Sequence, residues 1–201
     1  MKKILPIFSY VFHPIFIPVL AGLFYLILND AVFETEEKLF IFFQVLIVTV
    51  CIPMLFFFVL RAVGKLDSIM VVEVSQRKLP LILYCFLIIL LIRQSITLDR
   101  YPELHCFFLG ALLSSMIALL LLFFNIKSSI HMMGISSLTV FVIGLSLHFQ
   151  TQSTYTIAFL ILLNGFVASS RLEMNAHTNK ELIIGFILGS ISQLLLLFLW
   201  L

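Results

Sequence analysis

The most polar stretch of this chain, SSRLEMNAHTNKE at residues 169–181, carries residue types that can move a phosphoryl group. Histidine can attack phosphorus as a nucleophile, and arginine presents a planar fork of donors that matches phosphate oxygens. Arg171 and His177 supply these two groups, and Glu181 follows His177 by four residues. Because residues four apart share one face of a helix, we expect the Glu181 carboxylate to orient the His177 imidazole.

A second short polar stretch, NIKSSIHMMG at residues 125–134, offers a partner histidine. His131 could protonate a departing oxygen near neutral pH while His177 attacks. Lys127 and Ser129 stand beside His131 and could hold the non-bridging oxygens. The two histidines and their neighbours therefore indicate transfer of an anionic group.

These polar stretches interrupt a chain that is otherwise strongly apolar. Of its 201 residues, 62% are hydrophobic and 11% are charged, and the mean hydropathy is +1.20. Soluble domains are about 45–50% apolar and about 25% charged. Backbone in lipid must satisfy its own hydrogen bonds, and about 20 apolar residues in a helix cross the hydrocarbon core. The sequence therefore predicts an all-α fold, a polytopic transmembrane helix bundle with six or seven spans, as a single domain over residues 1–201. The candidate segments lie near residues 6–29, 38–62, 80–97, 104–125, 129–149, 154–169 and 182–201.

The first segment decides between six and seven spans. It contains Pro6, Pro14 and Pro18, and each proline removes a backbone donor, which predicts a kinked or re-entrant element. Two lysines precede the apolar run, as in a signal peptide, but no clear cleavage site follows, so we expect the segment to be retained. If all seven segments span, the polar connections share one face with most of the 12 Lys and Arg residues, which favours the cytoplasm. With a re-entrant first segment and an N-terminus inside, that face is outward.

The two histidine stretches resemble signatures of the type 2 phosphatidic acid phosphatase superfamily. Residues 170–181 resemble the third signature, SR-x5-H-x3-D, with Glu in place of Asp. Residues 129–131 resemble the Ser-Gly-His of the second signature, PSGH. The resemblance covers a phosphatase-like core at about residues 105–201, including Gly185 and Gly189, whose spacing permits close helix packing.

This resemblance implies an integral membrane phosphatase that needs no metal or other cofactor. His177 would be the nucleophile that forms a phosphohistidine, and His131 would be the general acid. Glu181 would orient His177. Arg171, Ser170 and the region of Ser129 would bind the phosphate.

Parts of the family pattern are missing. The first signature, K-x6-RP, has no counterpart, and Ser128 and Ile130 replace the Pro and Gly of PSGH. The close backbone approach that glycine permits is therefore lost. Lys127 is a candidate for the missing phosphate-binding cation, with anchoring of a loop at the headgroups as its alternative role. Arg77 and Lys78 could contribute to phosphate binding from another loop, but we interpret them as positive-inside residues rather than ligands.

The remaining histidines and the overall charge carry less information. His13, His105 and His148 have no charged partner at a useful spacing, so we interpret them as interfacial or packing residues. The net charge of +2 is spread over loops without a dense basic cluster, which argues against a nucleic-acid partner. The expected partners are a lipid phosphate substrate and membrane lipids.

Three functions follow from these residues. The first is hydrolysis of a lipid phosphate or pyrophosphate in the bacterial inner membrane, with the tail of the substrate held in the bilayer. The second is a catalytically weakened relative that binds lipid phosphate or acts as a subunit of a membrane complex, because the first signature is degraded. A proton-coupled transporter is disfavoured because the candidate residues lie at span ends instead of near the bilayer midplane.

Overall fold

The computed structural model describes residues 5–64 and 74–201, and it is all-α within these ranges. The two N-terminal lysines lie outside the described residues. The helices, in chain order, are α1 (Leu5–Val11), α2 (Ile17–Leu28), α3 (Thr35–Leu46), α4 (Ile52–Ala62), α5 (Val74–Gln94), α6 (Pro102–Phe123), α7 (Ile130–His148), α8 (Thr154–Glu173) and α9 (Asn179–Leu197).

Five helical stretches of the described residues are long and apolar enough to cross a membrane, which confirms the predicted transmembrane bundle. They are the continuous α3–α4 stretch Thr35–Ala62 and the helices α6, α7, α8 and α9. The α1–α2 pair makes a sixth if it counts as one bent span. The predicted segment at 80–97 corresponds to α5, which is not among the six.

The first segment is kinked, as its prolines predict. Leu5–Val11 and Pro14–Leu28 are inclined at 40° to each other. Between α1 and α2 the chain makes one 3-10 turn, Pro14–Phe16, and the ring of His13 caps this turn by accepting a hydrogen bond from the Ile15 N–H. The bend turns α1 so that it packs against α8 near the polar end of the bundle, with the rings of Phe8 and Phe166 stacked.

Helix α7 lies at the centre of the bundle and contacts α2, α6, α8 and α9. Its closest neighbour is α9, because a Cβ on Gly185 would overlap the Ser129 carbonyl and one on Gly189 would overlap the Met133 carbonyl. The close packing predicted for these two glycines is therefore present. As a result, the first turn of α7, which carries His131, is held directly against the first turns of α9.

The helix boundaries differ from the predicted ones around the polar stretch 169–181. Helix α8 continues to Glu173, past the predicted end at 169, and α9 begins at Asn179 instead of 182. The turn between them uses Asn175 in the left-handed region with φ of 50°, a conformation that asparagine tolerates at helix ends. Ser170 and Arg171 consequently lie in the last turns of a rigid helix and not in a loop.

Candidate active site

The polar residues meet at one end of the bundle, where α8 ends and both α7 and α9 begin. The Ser129 N–H donates to the Glu181 carbonyl at 3.0 Å, which joins the first turns of α7 and α9. Ser129 caps α7, since its hydroxyl oxygen accepts from the Met132 N–H at 3.4 Å. The two helices therefore present their N-terminal ends, with their partial positive charge, to the same region.

His177 and Glu181 are in direct contact, as expected from their spacing. His177 Nδ1 lies 2.8 Å from Glu181 Oε2. His177 precedes the helix, and Thr178 and Glu181 form a capping box in which each side chain accepts from the other's backbone N–H. The box fixes the Glu181 carboxylate at the start of α9, so the carboxylate is rigidly placed to hold the imidazole.

The surroundings of His177 set both its tautomer and its charge. An ionised carboxylate can only accept, so Nδ1 carries the hydrogen and Nε2 keeps a free lone pair in the neutral ring. The His177 side chain is only 2% exposed, and burial lowers its pKa to about 4. The hydrogen bond to Glu181 opposes this shift, whereas the charges of Arg77 and Arg171 add to it. At neutral pH His177 is therefore an uncharged imidazole with an available nitrogen, which is the form that a nucleophile needs.

Arg171 is a buried cation without a counter-ion among the described residues. It is 5% exposed, and its Nε has no hydrogen-bond partner. Its one side-chain contact of this kind within the described ranges is weak, from Nη1 to the Met174 sulfur at 4.0 Å. Buried arginines are normally paired, because an uncompensated charge in the interior is costly. The guanidinium therefore has the donors and the charge to hold an anion.

His131 lies in the first turn of α7 and faces the same region. Arg171, His13 and His177 are close enough for their charges to act on it. Its Nε2 lies 3.2 Å from the Ser9 carbonyl oxygen. Because a carbonyl only accepts, Nε2 carries a hydrogen, and Nδ1 is the nitrogen left for another partner.

The two predicted phosphate-binding serines are buried and already engaged. Ser170 Oγ lies 2.6 Å from Ser9 Oγ, which ties α8 to α1. Ser129 acts as the cap of α7, although its hydroxyl hydrogen is not used in that bond. Their role toward phosphate stays a prediction.

The three basic residues outside α8 that were considered from the sequence for phosphate binding differ in their contacts. Lys127 is half-buried and makes no hydrogen bond or ion pair with the described residues. Lys78 places its Nζ 4.6 Å from the centre of the Phe123 ring. Arg77, interpreted from sequence as a positive-inside residue, lies close enough to Arg171 and Glu181 for their charges to interact. Arg77 therefore belongs to the site.

Sequence reasoning also missed the first segment as part of the site. Ser9 contacts Ser170 and His131, and the His13 ring centre lies 5.1 Å from that of His131. The ring contact with His131 agrees with the interpretation of His13 as a packing residue, and the charge of Arg171 also acts on His13. The available signal was a serine and a histidine four residues apart in an apolar, proline-rich segment.

The interpretation of His148 also needs correction. It was expected to lack an acidic partner, but its Nε2 lies 3.3 Å from Oε1 of the buried Glu103 at the other end of the bundle. His105 places Nδ1 2.6 Å from the Ile96 carbonyl oxygen at that same end. These two histidines are therefore remote from the candidate site.

An open apolar groove adjoins the candidate site. It has a volume of about 310 Å³ and lies between α8, α9 and the start of α7. Asn179 stands at its polar end, and the other lining residues are Met132, Ala168, Leu172, Leu182, Ile183 and Phe186. Its lining residues Leu172 and Asn179 follow Arg171 and His177 by one and two positions in the sequence.

This arrangement brings together a neutral His177 with an available nitrogen, a second histidine, and a buried cation that has no counter-ion among the described residues. Within the described ranges, no three His, Cys, Asp or Glu side chains are grouped so that they could hold a metal ion. Comparisons of the chain with protein-family models, with curated proteins and with solved structures give no match. The geometry of the site is therefore the basis for a functional assignment.

Proposed function

We propose that this chain is an integral membrane phosphatase of the type 2 phosphatidic acid phosphatase kind, hydrolysing a lipid phosphate or pyrophosphate through a phosphohistidine. The observation that carries the proposal is the buried Arg171 guanidinium, which has no counter-ion among the described residues, close to a buried neutral His177. A phosphate group satisfies both, because it supplies the missing negative charge and an electrophilic phosphorus.

The first chemical step would transfer the phosphoryl group to His177. The Nε2 lone pair attacks phosphorus, the bond to the leaving oxygen breaks, and that oxygen takes its electron pair. Protonated His131 donates its Nδ1 hydrogen to the leaving oxygen and becomes neutral. The negative charge of the bound phosphate favours the protonated form of His131 before this step.

The second step would return the enzyme to its starting state. A water molecule attacks phosphorus while neutral His131 accepts one of the water's hydrogens, and the bond to His177 Nε2 breaks. Inorganic phosphate leaves, His177 is again neutral, and His131 is again protonated. Arg77 and Arg171, with the N-terminal ends of α7 and α9, would stabilise the charge on the phosphoryl oxygens in both steps.

The apolar groove supports a lipid as the substrate. Its lining residues begin with Asn179 near the polar end and continue along α8 and α9. A lipid whose headgroup occupies the site could therefore keep a hydrocarbon chain against apolar side chains in the membrane. The membrane that we propose is the bacterial inner membrane.

A second candidate function is binding of a lipid phosphate without efficient turnover, either alone or as a subunit of a membrane complex. The observation that favours it is the engagement of the predicted phosphate-binding hydroxyls with other parts of the protein. Ser170 bonds to Ser9, and Ser129 caps α7. A site in which Ser170 is engaged elsewhere would still bind an anion through its arginines but would stabilise a transition state less well.

The test is release of phosphate by the detergent-purified protein from a panel of lipid phosphates and pyrophosphates, with a chelator present. The phosphatase proposal expects release by the parent protein and none by His177→Ala, with a labelled phosphohistidine trapped only when His177 is present. Folded protein that binds the lipids without releasing phosphate would replace this proposal with the second candidate. Control reactions with His105→Ala exclude a general effect of histidine removal, since His105 lies at the opposite end.

A further inference from the structure

The first segment contacts His131 in two independent ways that the proposed chemistry does not yet use. The Ser9 carbonyl accepts from His131 Nε2 at 3.2 Å. The His13 ring meets the His131 ring edge to face, with centres 5.1 Å apart and planes at 85°. One contact fixes a nitrogen of His131, and the other fixes the plane of its ring.

His13 is itself held in place by the backbone. Its Nδ1 accepts from the Ile15 N–H at 3.3 Å and so caps the 3-10 turn. In its neutral form the ring therefore carries its hydrogen on Nε2. A ring fixed in this way is a rigid surface against which another ring can be oriented.

His131 is also surrounded by groups that can carry positive charge. Arg171 and His177 act on the same imidazole from α8 and from the start of α9. The charge of His13 acts in the same sense, whereas the hydrogen bond to the Ser9 carbonyl favours a charged His131 ring.

We propose that His13 is a positioning residue for His131, an inference that rests on the proposed phosphatase function. With Nε2 committed to the Ser9 carbonyl, Nδ1 is the nitrogen that donates to the leaving oxygen. The His13 ring keeps the His131 ring in the plane that directs Nδ1 toward that oxygen. The N-terminal segment therefore supports the general acid, although the family signatures lie in other parts of the chain.

A purely structural role for His13, the cap of the turn, predicts different behaviour from a positioning role. Asparagine is a good capping residue, so His13→Asn keeps an acceptor for the Ile15 N–H but removes the ring. His13→Phe keeps an aromatic ring at this position but removes the acceptor. The two variants therefore separate the cap from the ring contact.

The experiment compares kcat/KM for decyl phosphate and for p-nitrophenyl phosphate. An alkoxide leaving group needs protonation by the general acid, whereas p-nitrophenolate leaves readily without it. We expect His13→Asn to lose about 10-fold or more on decyl phosphate and less than about 3-fold on p-nitrophenyl phosphate, within the range that general acid catalysis supplies. His131→Ala should show the same selectivity more strongly, and His13→Phe should keep the ratio of the parent protein. His105→Asn is the matched control and should leave the ratio unchanged.

Three results would overturn the inference. An equal loss on both substrates in His13→Asn would assign His13 to folding or to phosphate binding, and no loss on either would leave it without a part in the reaction. If the ratio of kcat/KM for decyl phosphate to kcat/KM for p-nitrophenyl phosphate were as low in His13→Phe as in His13→Asn, the ring contact could not be what positions His131. If the parent protein hydrolyses neither substrate and none of the lipid panel, the proposed function itself fails, which is a separate outcome.

Discussion

Gly185 of α9 lies so close to Ser129 of α7 that a Cβ on residue 185 would overlap the Ser129 carbonyl oxygen. The Ser129 N–H in turn donates to the Glu181 carbonyl at 3.0 Å. These two relationships fix the starts of α7 and α9 against each other. His131 follows Ser129 in α7, and Glu181 holds His177 at the start of α9, so the spacing of the two histidines depends on this helix crossing.

Gly185→Ala should therefore destabilise the protein and reduce phosphate release. Overpacking of a tight contact costs about 1–3 kcal/mol, and relief by separation of the helices would move His131 away from His177. Gly165→Ala is the matched control, because Gly165 lies inside α8 with no atom within 4 Å of an added Cβ. It should stabilise α8 by about 0.5–1 kcal/mol. Thermal unfolding in detergent measures both, and a Gly185→Ala protein as stable as the Gly165→Ala protein would contradict the close crossing.

Arg171→Met should raise stability while it removes anion binding. The variant replaces a buried cation, which lacks a partner among the described residues, by an apolar side chain of similar length. The melting temperature in phosphate-free detergent solution should therefore be higher than that of the parent protein. Vanadate or phosphate should raise the melting temperature of the parent protein but not that of Arg171→Met. Lys78→Met is the control, since Lys78 lies over the Phe123 ring. Retention of the anion-induced shift in Arg171→Met would contradict the assignment of Arg171.

Glu181→Gln should lower phosphate release by about 10²–10⁴-fold with a small effect on lipid binding. Without the carboxylate charge, Nδ1 of His177 is no longer held reliably as the donor, and the ring loses its orientation. Thr178→Ala removes the other half of the capping box and leaves the contact from His177 to Glu181 intact. It should cost about 1 kcal/mol of stability and keep most of the activity. Equal loss of activity in both variants would assign Glu181 to capping alone.

The pH dependence of phosphate release should reflect the lowered pKa of His177. With a pKa of about 4 instead of 6.5, the nucleophile stays neutral in mildly acidic solution, so activity should decline only as the pH approaches about 4. Arg77→Gln removes a positive charge that lowers this pKa, so its acid limb should move to higher pH. Ionisation of the substrate is common to both proteins, so the difference between their profiles isolates His177. If the activity of Arg77→Gln declined at the same pH as that of the parent protein, or at a lower pH, the electrostatic contact would be contradicted.

Ala168→Phe should raise the KM for decyl phosphate and leave hydrolysis of p-nitrophenyl phosphate nearly unchanged. The larger side chain fills the groove that we assign to the hydrocarbon chain, and only the alkyl substrate has such a chain. Ala158→Phe is the matched control, because Ala158 is exposed on the same helix away from the groove. If Ala168→Phe changed the hydrolysis of both substrates equally, the substitution would act on the phosphate site and not on the groove.

The membrane fold is predictable from sequence because composition and length of apolar runs determine it almost alone. The kink of the first segment also follows locally, since Pro14 and Pro18 act on their own backbone. The end of α8 was less predictable. Arg171 and Glu173 read as loop residues, but the helix continues because Arg171 is buried against other helices, a tertiary effect that local polarity does not reveal.

Within the candidate site, the contact between His177 and Glu181 was predictable because the two residues are four positions apart in one chain segment. Arg77 and His13 were not, because each reaches the site through helix packing. His131 bonds to Ser9 across 122 positions of the sequence, and no spacing rule covers such a distance. Because the first signature is missing, the sequence made Lys127 the candidate for the phosphate-binding cation. The structure instead brings the charge of Arg77 close to His177.

The bond between Ser9 and Ser170 joins residues that are 161 positions apart. In a growing chain, the first segment enters the membrane long before α8 and α9 are made, and helices generally insert before they associate. The site therefore comes together only in the last stage of biogenesis, after the final hairpin has docked. A truncated chain that ends before α8 could insert its earlier spans, yet it would lack His177 and would also lack Ser170, which holds the first segment in place.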